Sequence, residues 1–361
     1  MKKNVLIILF VFIIFGLVIC GCSTEQEPVK PEQTGDAQGE PEEVFHLKYS
    51  DWSPEIHNVA TISKEALEMI EERSNGRVKI TPYFAGSLLE YSDVFMGVST
   101  GAADIVRYVS TMSTGVHDLN LIYNRLFEVE APDVENLSKV YRELLDKVPE
   151  IQKEMEQTGA RWLTMRALLG SNLHTANKAV RVPDDIRGMK ILCTGENTTW
   201  ISSMNGASVT MPQTDWYMSL ERGIAEGEVM HWSAIDSYKR LEVLNYHTLF
   251  GANGTAADAM GYLINLETWN SLPSDIQEII IDAFQWATDK AEEVNINDKE
   301  RIMAEAKEKG NTFIELTPEE MQLWAETMKP INEKWITETE AKGWPAEEAF
   351  NELISLFEEY R

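Results

Sequence analysis

Residues 274–309 carry one uninterrupted helical period, opened by Pro273-Ser274-Asp275 and closed by Gly310. At 1.5 Å per residue these thirty-six residues make a rod of about 54 Å, longer than one small domain is wide. A chain that folds around such a rod must place a globular mass towards each end of it. Its 361 residues are enough for two such masses, and with 43% of them hydrophobic there is material for two cores.

The text before the rod reads the same way. FHLKYS from Phe45, an amphipathic stretch over 55–72 closed by Asn75-Gly76, and RVKITPYF form a β-α-β opening, with Gly76 placed as the left-handed residue after the helix. A helical period over 88–100 stops at Gly101 and leads into a strand over 103–109. Residues 162–169 and 189–193 start a second set, continued by ASVTM, a helix over 213–222 and YHTLFG. Strands separated by helices predict two α/β halves built on mainly parallel sheets. The periods over 317–341 and 345–360 predict helices laid around the outside.

The N-terminus is an address. Met1-Lys2-Lys3-Asn4 is basic, and residues 5–20 (VLIILFVFIIFGLVIC) are apolar or small. As a helix that run covers about 24 Å, short of the roughly 30 Å hydrocarbon core, so residues 1–21 are expected to be a signal peptide. Ile19-Cys20-Gly21-Cys22 resembles the lipobox of bacterial lipoproteins, which implies that Cys22 is acylated and heads the mature chain. Residues 23–43 hold no aromatic and one Val among Pro, Gly, Gln and acids, and they predict a disordered tether. The expected body is a first lobe of residues 44–165 plus about 256–290 and a second of 166–255 plus about 291–361, with the protein held outside the cytoplasmic membrane by its lipid anchor.

Thirty-two Lys and Arg stand against 59 Asp and Glu, a net charge of −27, so no nucleic-acid partner is expected. Cys193 is the one cysteine in the body, which excludes a disulfide framework and a cysteine zinc site; no metal and no cofactor are expected. The sequence has no G-x-S-x-G elbow, H-E-x-x-H or phosphate-cradling loop, and no enzyme is expected. The rival class is an extracellular enzyme using His174, His231 or His247 as base.

An ordered series of short segments resembles one family. The pieces include Tyr49-Ser50-Asp51-Trp52-Ser53-Pro54, Ser74-Asn75-Gly76-Arg77-Val78, Gly101-Ala102-Ala103-Asp104-Ile105, Val182-Pro183-Asp184-Asp185-Ile186-Arg187-Gly188-Met189-Lys190-Ile191, Val209-Thr210-Met211-Pro212 and Trp269-Asn270-Ser271-Leu272-Pro273. Over about residues 45–345 they are similar to the DctP-type solute-binding proteins of tripartite ATP-independent periplasmic (TRAP) transporters. The resemblance implies a two-lobed α/β fold of the periplasmic-binding-protein kind, with a ligand cleft between the lobes, crossing strands at the hinge and one long helix spanning both. It also implies a role: to catch a small solute, usually an organic acid, and deliver it to a membrane permease.

The departures from the family pattern bear on the ligand. The family's usual carboxylate-binding Arg, after Gly-Met-Lys-Ile, is here Leu192; a second Arg position holds Asn172, and a cleft Asn position falls at about Met230. An Arg fork holds a carboxylate by two charge-assisted bonds, which Leu192 cannot make. Arg107, with Tyr108 at the end of its strand, can stand in or can pair with an acid. Arg166 interrupts an apolar strand and is expected to be buried, with a partner or facing ligand. Trp52 and Trp232 are read as cleft residues; for Trp200 and Trp216 a core position is at least as good a reading. Glu228 and His231 flank Trp232 as ligand groups or as caps and surface charge, and Glu90 beside Gly86-Ser87 has the same two readings. Three family polar positions lost, and an aromatic, acid-flanked group of Trp52, Trp232 and Glu228, favour an amine or neutral polar solute over a carboxylate.

Overall fold

The structure is a computed structural model and describes residues 43–361. The expected signal peptide, Cys22 and the tether up to residue 42 lie outside the described residues.

The first half runs β1 (Phe45–Ser50), α1 (Asn58–Arg73), β2 (Val78–Tyr83), α2 (Val94–Ser99), β3 (Ile105–Val109), α3 (Val134–Lys147), α4 (Pro149–Gln157) and β4 (Ala160–Ala167). The chain then makes β5 (Asn172–Thr175), β6 (Lys190–Leu192), α5 (Glu196–Ser203), β7 (Ala207–Val209), α6 (Trp216–Glu221), β8 (Gly227–Met230), α7 (Trp232–Ser237) and β9 (Tyr246–Leu249). It ends with β10 (Ala259–Asn265), α8 (Leu266–Ser271), α9 (Ser274–Glu308), β11 (Thr312–Glu315), α10 (Pro318–Glu340) and α11 (Ala346–Tyr360).

The strands form two sheets, one in the order β2-β1-β3-β10-β4 and the other β11-β9-β5-β8-β6-β7. Both are mixed, which corrects the mainly parallel expectation. Strand β10 runs antiparallel to both β3 and β4, and β5 antiparallel to β8 and β9. The physical reason is the route of the chain: it leaves the first sheet after β4 and returns as β10 at the same end of the sheet, Ala259 opposite Ala167, so β10 runs back against β4. The two crossing segments are tied by Leu168 N–H to Asp258 O (2.8 Å), Ser171 N–H to Ala256 O (2.9 Å) and Thr255 N–H to Ser171 O (2.8 Å). They pass so closely that a Cβ on Gly170 would lie 1.4 Å from Asn253 O, so only glycine fits there.

Helix α9 spans both lobes, as its length requires. Ile276, Ile280, Ala283, Phe284 and Ala287 pack with Tyr49, Ile70 and Tyr262 beneath the first sheet. At the far end Ile302 and Ala306 join Trp216, Ile235 and Leu241 in a core of the second lobe. Helix α10 also serves both lobes, with Trp324 and Met328 in one core and Trp335 in the other. No helix of the described residues is long and apolar enough to cross a membrane.

The helix expected over 88–100 shrinks to α2. Ala85 and Gly86 hold positive φ and Glu90 is extended, so the backbone turns twice before a helix can start. Helices α3 and α4, opened by the Asp133 cap and by Pro149, were not anticipated.

Candidate functional site

Strand β10 lies between β3 and β4 and sets the geometry of the site. Met260 sits opposite Val109 on one side and Arg166 on the other, and Tyr262 opposite Arg107 and Thr164. Because side chains alternate along a strand, Arg107, Arg166, Met260 and Tyr262 share one face, and Tyr108 and Met165 share the other. The first face borders a cleft of about 990 Å³. Its opposite wall comes from the second lobe: Thr194 to Asn197 at the start of α5, Met230 and His231 at the end of β8, and Ala234 and Ser237 of α7.

Arg107 already has a carboxylate, and its Nη1 meets only Met260 Sδ at 3.8 Å. Its Nε and Nη2 each donate to a different oxygen of Asp51 at 2.8 Å, Nη2 also reaches Ser53 Oγ, and the Trp52 ring lies 3.9 Å away over the guanidinium. Arg107 is a buried ion pair that stiffens the loop after β1, and Trp52 meets the cleft as its cover.

Arg166 is different. It is 2% exposed and borders the cleft, yet it is in no ion pair among the described residues. Nη1 donates to Ala167 O at 3.2 Å, Nη2 lies 3.4 Å from Met260 Sδ, and the Asn295 amide, turned with its oxygen inwards, accepts from Nη1 and from Nη2 at 3.0 Å. Every one of these partners is neutral. Burial pushes the guanidinium down to about 10, and Glu292, too far for a bond, only partly opposes this.

Arg125, also buried, donates from Nε to Leu121 O and from Nη2 to Glu196 at 3.2 Å, an ion pair across the cleft between the two lobes. Asp258, the residue just before β10, borders the cleft, accepts one hydrogen bond from Asn124 Nδ2 (2.5 Å), and is pushed up to about 6 by burial.

The structure thus brings together Trp52, Arg107, Arg166, Met230 and His231 of the residues singled out from sequence. It does not bring the others to the cleft. Tyr108 points from the opposite face of β3 into the core and bonds Ser113 Oγ. Asn172 is spent on backbone, its oxygen accepting from Phe250 N–H at 3.1 Å. Leu192 is fully buried among Trp216 and Leu220. Trp216 donates to Met211 O at 3.0 Å inside the second lobe, and Trp200 likewise sits in a core and bonds Thr327. Glu90 is exposed on the loop before α2, outside the cleft lining.

Glu228 and Trp232 overturn the aromatic, acid-flanked amine site. Glu228 is fully buried and bound to Arg240 at 2.9 Å, while Trp232 stacks on Phe313 with ring centroids 5.7 Å apart. Both belong to the second lobe's interior. Their strand-end positions suggested the cleft, but β8 is central in its sheet and α7 folds back over it, so both residues are enclosed.

His231 caps α7, its Nδ1 accepting from Ala234 N–H at 3.2 Å and lying 2.8 Å from Ser233 Oγ; burial lowers it to about 4, so it is neutral. His174 and His247 are absent from the cleft lining and face each other, Nδ1 to Nδ1, at 2.7 Å. His174 Nε2 must donate to Met230 O (3.0 Å), because a carbonyl only accepts. Its Nδ1 then accepts from His247 Nδ1–H, and a neutral His247 accepts at Nε2 from the Asn311 amide, turned with its nitrogen inwards (3.2 Å).

Burial lowers His174 well below the ordinary imidazole value and His247 to about 4. The unfolded chain therefore binds protons near pH 6.5 that the folded chain refuses. The stability held by the pair is complete above that pH and is lost as pH falls through 6.5 towards 4, at about 1.4 kcal/mol per pH unit for each ring. Melting temperature measured from pH 7 to 4.5 is expected to fall, and His247→Gln is expected to flatten that slope; an unaltered slope in the variant would contradict the assignment.

Arg125, Asn124, Asp258 and Asn295 were missed from sequence. The alternating DAMGYLIN run was the available signal, since reading it as a strand places Asp258 and Met260 on one face.

The family model for bacterial extracellular solute-binding proteins, family 7 (DctP), matches residues 50–338. Among curated proteins the C4-dicarboxylate-binding periplasmic protein DctP of Rhodobacter capsulatus is 23% identical over 279 residues, 74% of this chain and 79% of that protein. Among solved structures, a TRAP periplasmic solute-binding protein from Desulfovibrio salexigens is similar with a TM-score of 0.76 at 23% identity, over 88% of this chain and 97% of that one. A second, from Ochrobactrum anthropi, has a TM-score of 0.77 at 21% identity, over 88% and 98%. With its two sheets, spanning helix and interlobe cleft, the chain belongs to the DctP family, the solute-binding proteins of TRAP transporters.

Proposed function

We propose that this protein captures a small organic carboxylate in its cleft, holds it through Arg166, and delivers it to a TRAP permease in the membrane. The observation that carries this reading is Arg166 itself: a buried guanidinium at the cleft wall held only by neutral acceptors. A buried charge with no acid bonded to it costs several kcal/mol, which Glu292 only partly offsets, and an arriving carboxylate relieves the remainder with two charge-assisted bonds. The other two cleft arginines already have carboxylates, Asp51 and Glu196. This departs from the amine or neutral solute favoured by the sequence, since of its supporting residues Trp52 covers Arg107 at the cleft while Glu228 and Trp232 are enclosed in the second lobe.

Similar structures support an acid. One from Chromohalobacter salexigens holds D-glucuronate and one from Rhodoferax ferrireducens holds copurified benzoate. The acylated Cys22 and tether would keep the body near its permease. A thermal-shift screen of small acids, amines, sulfonates and polyols tests the reading: saturable stabilisation is expected from acids, and stabilisation by amines alone would overturn it.

A further inference from the structure

The first sheet presents to the cleft one buried cation without an acid and one acid without a cation. Met260 is the direct cross-strand partner of Arg166, and Asp258, the residue just before β10, continues the ladder by accepting from Leu168 N–H (2.8 Å), so Asp258 and Arg166 stand diagonally across it and both border the cleft. Diagonal positions stand about 7–8 Å apart, near enough for one small molecule to touch both side chains, and the two side chains are bonded to other partners and not to each other.

Asp258 accepts a single hydrogen bond, from Asn124 Nδ2 to Oδ1 at 2.5 Å. Asn124 is itself 8% exposed and borders the cleft; its amide nitrogen also donates to Ser110 Oγ at 3.0 Å, and its Oδ1 is buried with no partner. The nitrogen of Asn124 is thus committed, and what the pair leaves unpaired is acceptor only: the second oxygen of Asp258, which borders the cleft, and the enclosed Asn124 Oδ1. Two acceptors without a donor, close to a guanidinium without an acceptor of its own charge, describe the complement of one ligand.

We infer that Asp258 and Asn124 form a donor-recognising subsite, so that the ligand is a carboxylate bearing an O–H or N–H group several bonds from the carboxyl. The inference rests on the Arg166 reading and deepens it. A carboxylate lacking the donor leaves the free Asp258 oxygen desolvated and unpaired, the arrangement that discriminates most strongly against a missing hydroxyl or amine.

The test is a titration series of two parent acids, butyrate and benzoate, with 4-hydroxybutyrate, 4-aminobutyrate and 3-hydroxybenzoate, against the wild type and the Asp258→Leu, Asp258→Asn and Arg166→Met variants. At least one substituted acid is expected to bind the wild type about 10-fold or more tighter than its parent. Asp258→Leu is expected to erase that ratio. Asp258→Asn separates the sources, because it keeps an acceptor for a hydroxyl but removes the charge that an ammonium needs. Arg166→Met is expected to weaken parent and substituted acids alike. Equal affinities for parent and substituted acids, or a ratio that survives Asp258→Leu, overturn the donor subsite and leave Arg166 standing. If no acid of either series binds, or if Arg166→Met changes nothing, both readings fall.

Discussion

Replacing Arg166 with methionine is expected to raise the dissociation constant for a carboxylate ligand at least about 100-fold, while the unliganded protein melts at the same temperature or higher. The two effects have one cause. Arg166 is buried with neutral partners only, so in the empty protein it is a desolvation cost, and an apolar side chain of similar length removes that cost. The same charge is what the ligand's carboxylate binds. Calorimetric titration with an acid that stabilises the wild type, together with thermal melts of both unliganded proteins, measures both halves. A variant that binds normally would place the carboxylate on another arginine; one that loses binding and also melts far lower would make Arg166 a structural residue.

The opposite result is expected at Arg240, equally buried. Its partner Glu228 is 0% exposed, and the guanidinium lies 5.2 Å from the Trp216 ring and 4.9 Å from the Tyr238 ring, deep in the second lobe. Burial raises the Glu228 carboxyl to about 7, with Arg240 pulling it down. Arg240→Met strands that carboxyl in the core and is expected to cost about 3–5 kcal/mol of stability, measured by denaturant unfolding. Adding Glu228→Leu is expected to return most of the loss, because the penalty belongs to the unpaired charge and not to the missing contact. A single variant as stable as the wild type would contradict the ion pair.

These two arginines also show what the sequence makes legible. The architecture is readable because it rests on long periodic segments: α9 ends within a residue of its expected limits, and the strand after residue 44 and the β6 segment appear where alternation puts them. Parallel against antiparallel pairing is not readable locally, since nothing in AMGYLIN says from which end β10 enters its sheet. Site residues fail for a related reason. Trp232 and Glu228 stand at a strand end in the text, but their sheet neighbours and the returning α7 decide their burial. Arg107 and Arg166 look alike as polar interruptions of apolar strands; what separates them is Asp51, which β1 carries to one and not to the other. A partner fifty-six residues away in the chain is a property of the fold.

The most direct measurement is a crystal structure of the protein with the acid that binds most tightly in the screen. The account predicts the carboxylate oxygens within about 3 Å of Arg166 Nη1 and Nη2, with Arg107 still on Asp51. A ligand whose carboxylate sits on Arg107 or Arg125, with Arg166 left on Asn295, or an amine seated against Trp52 with no anion at Arg166, would contradict it.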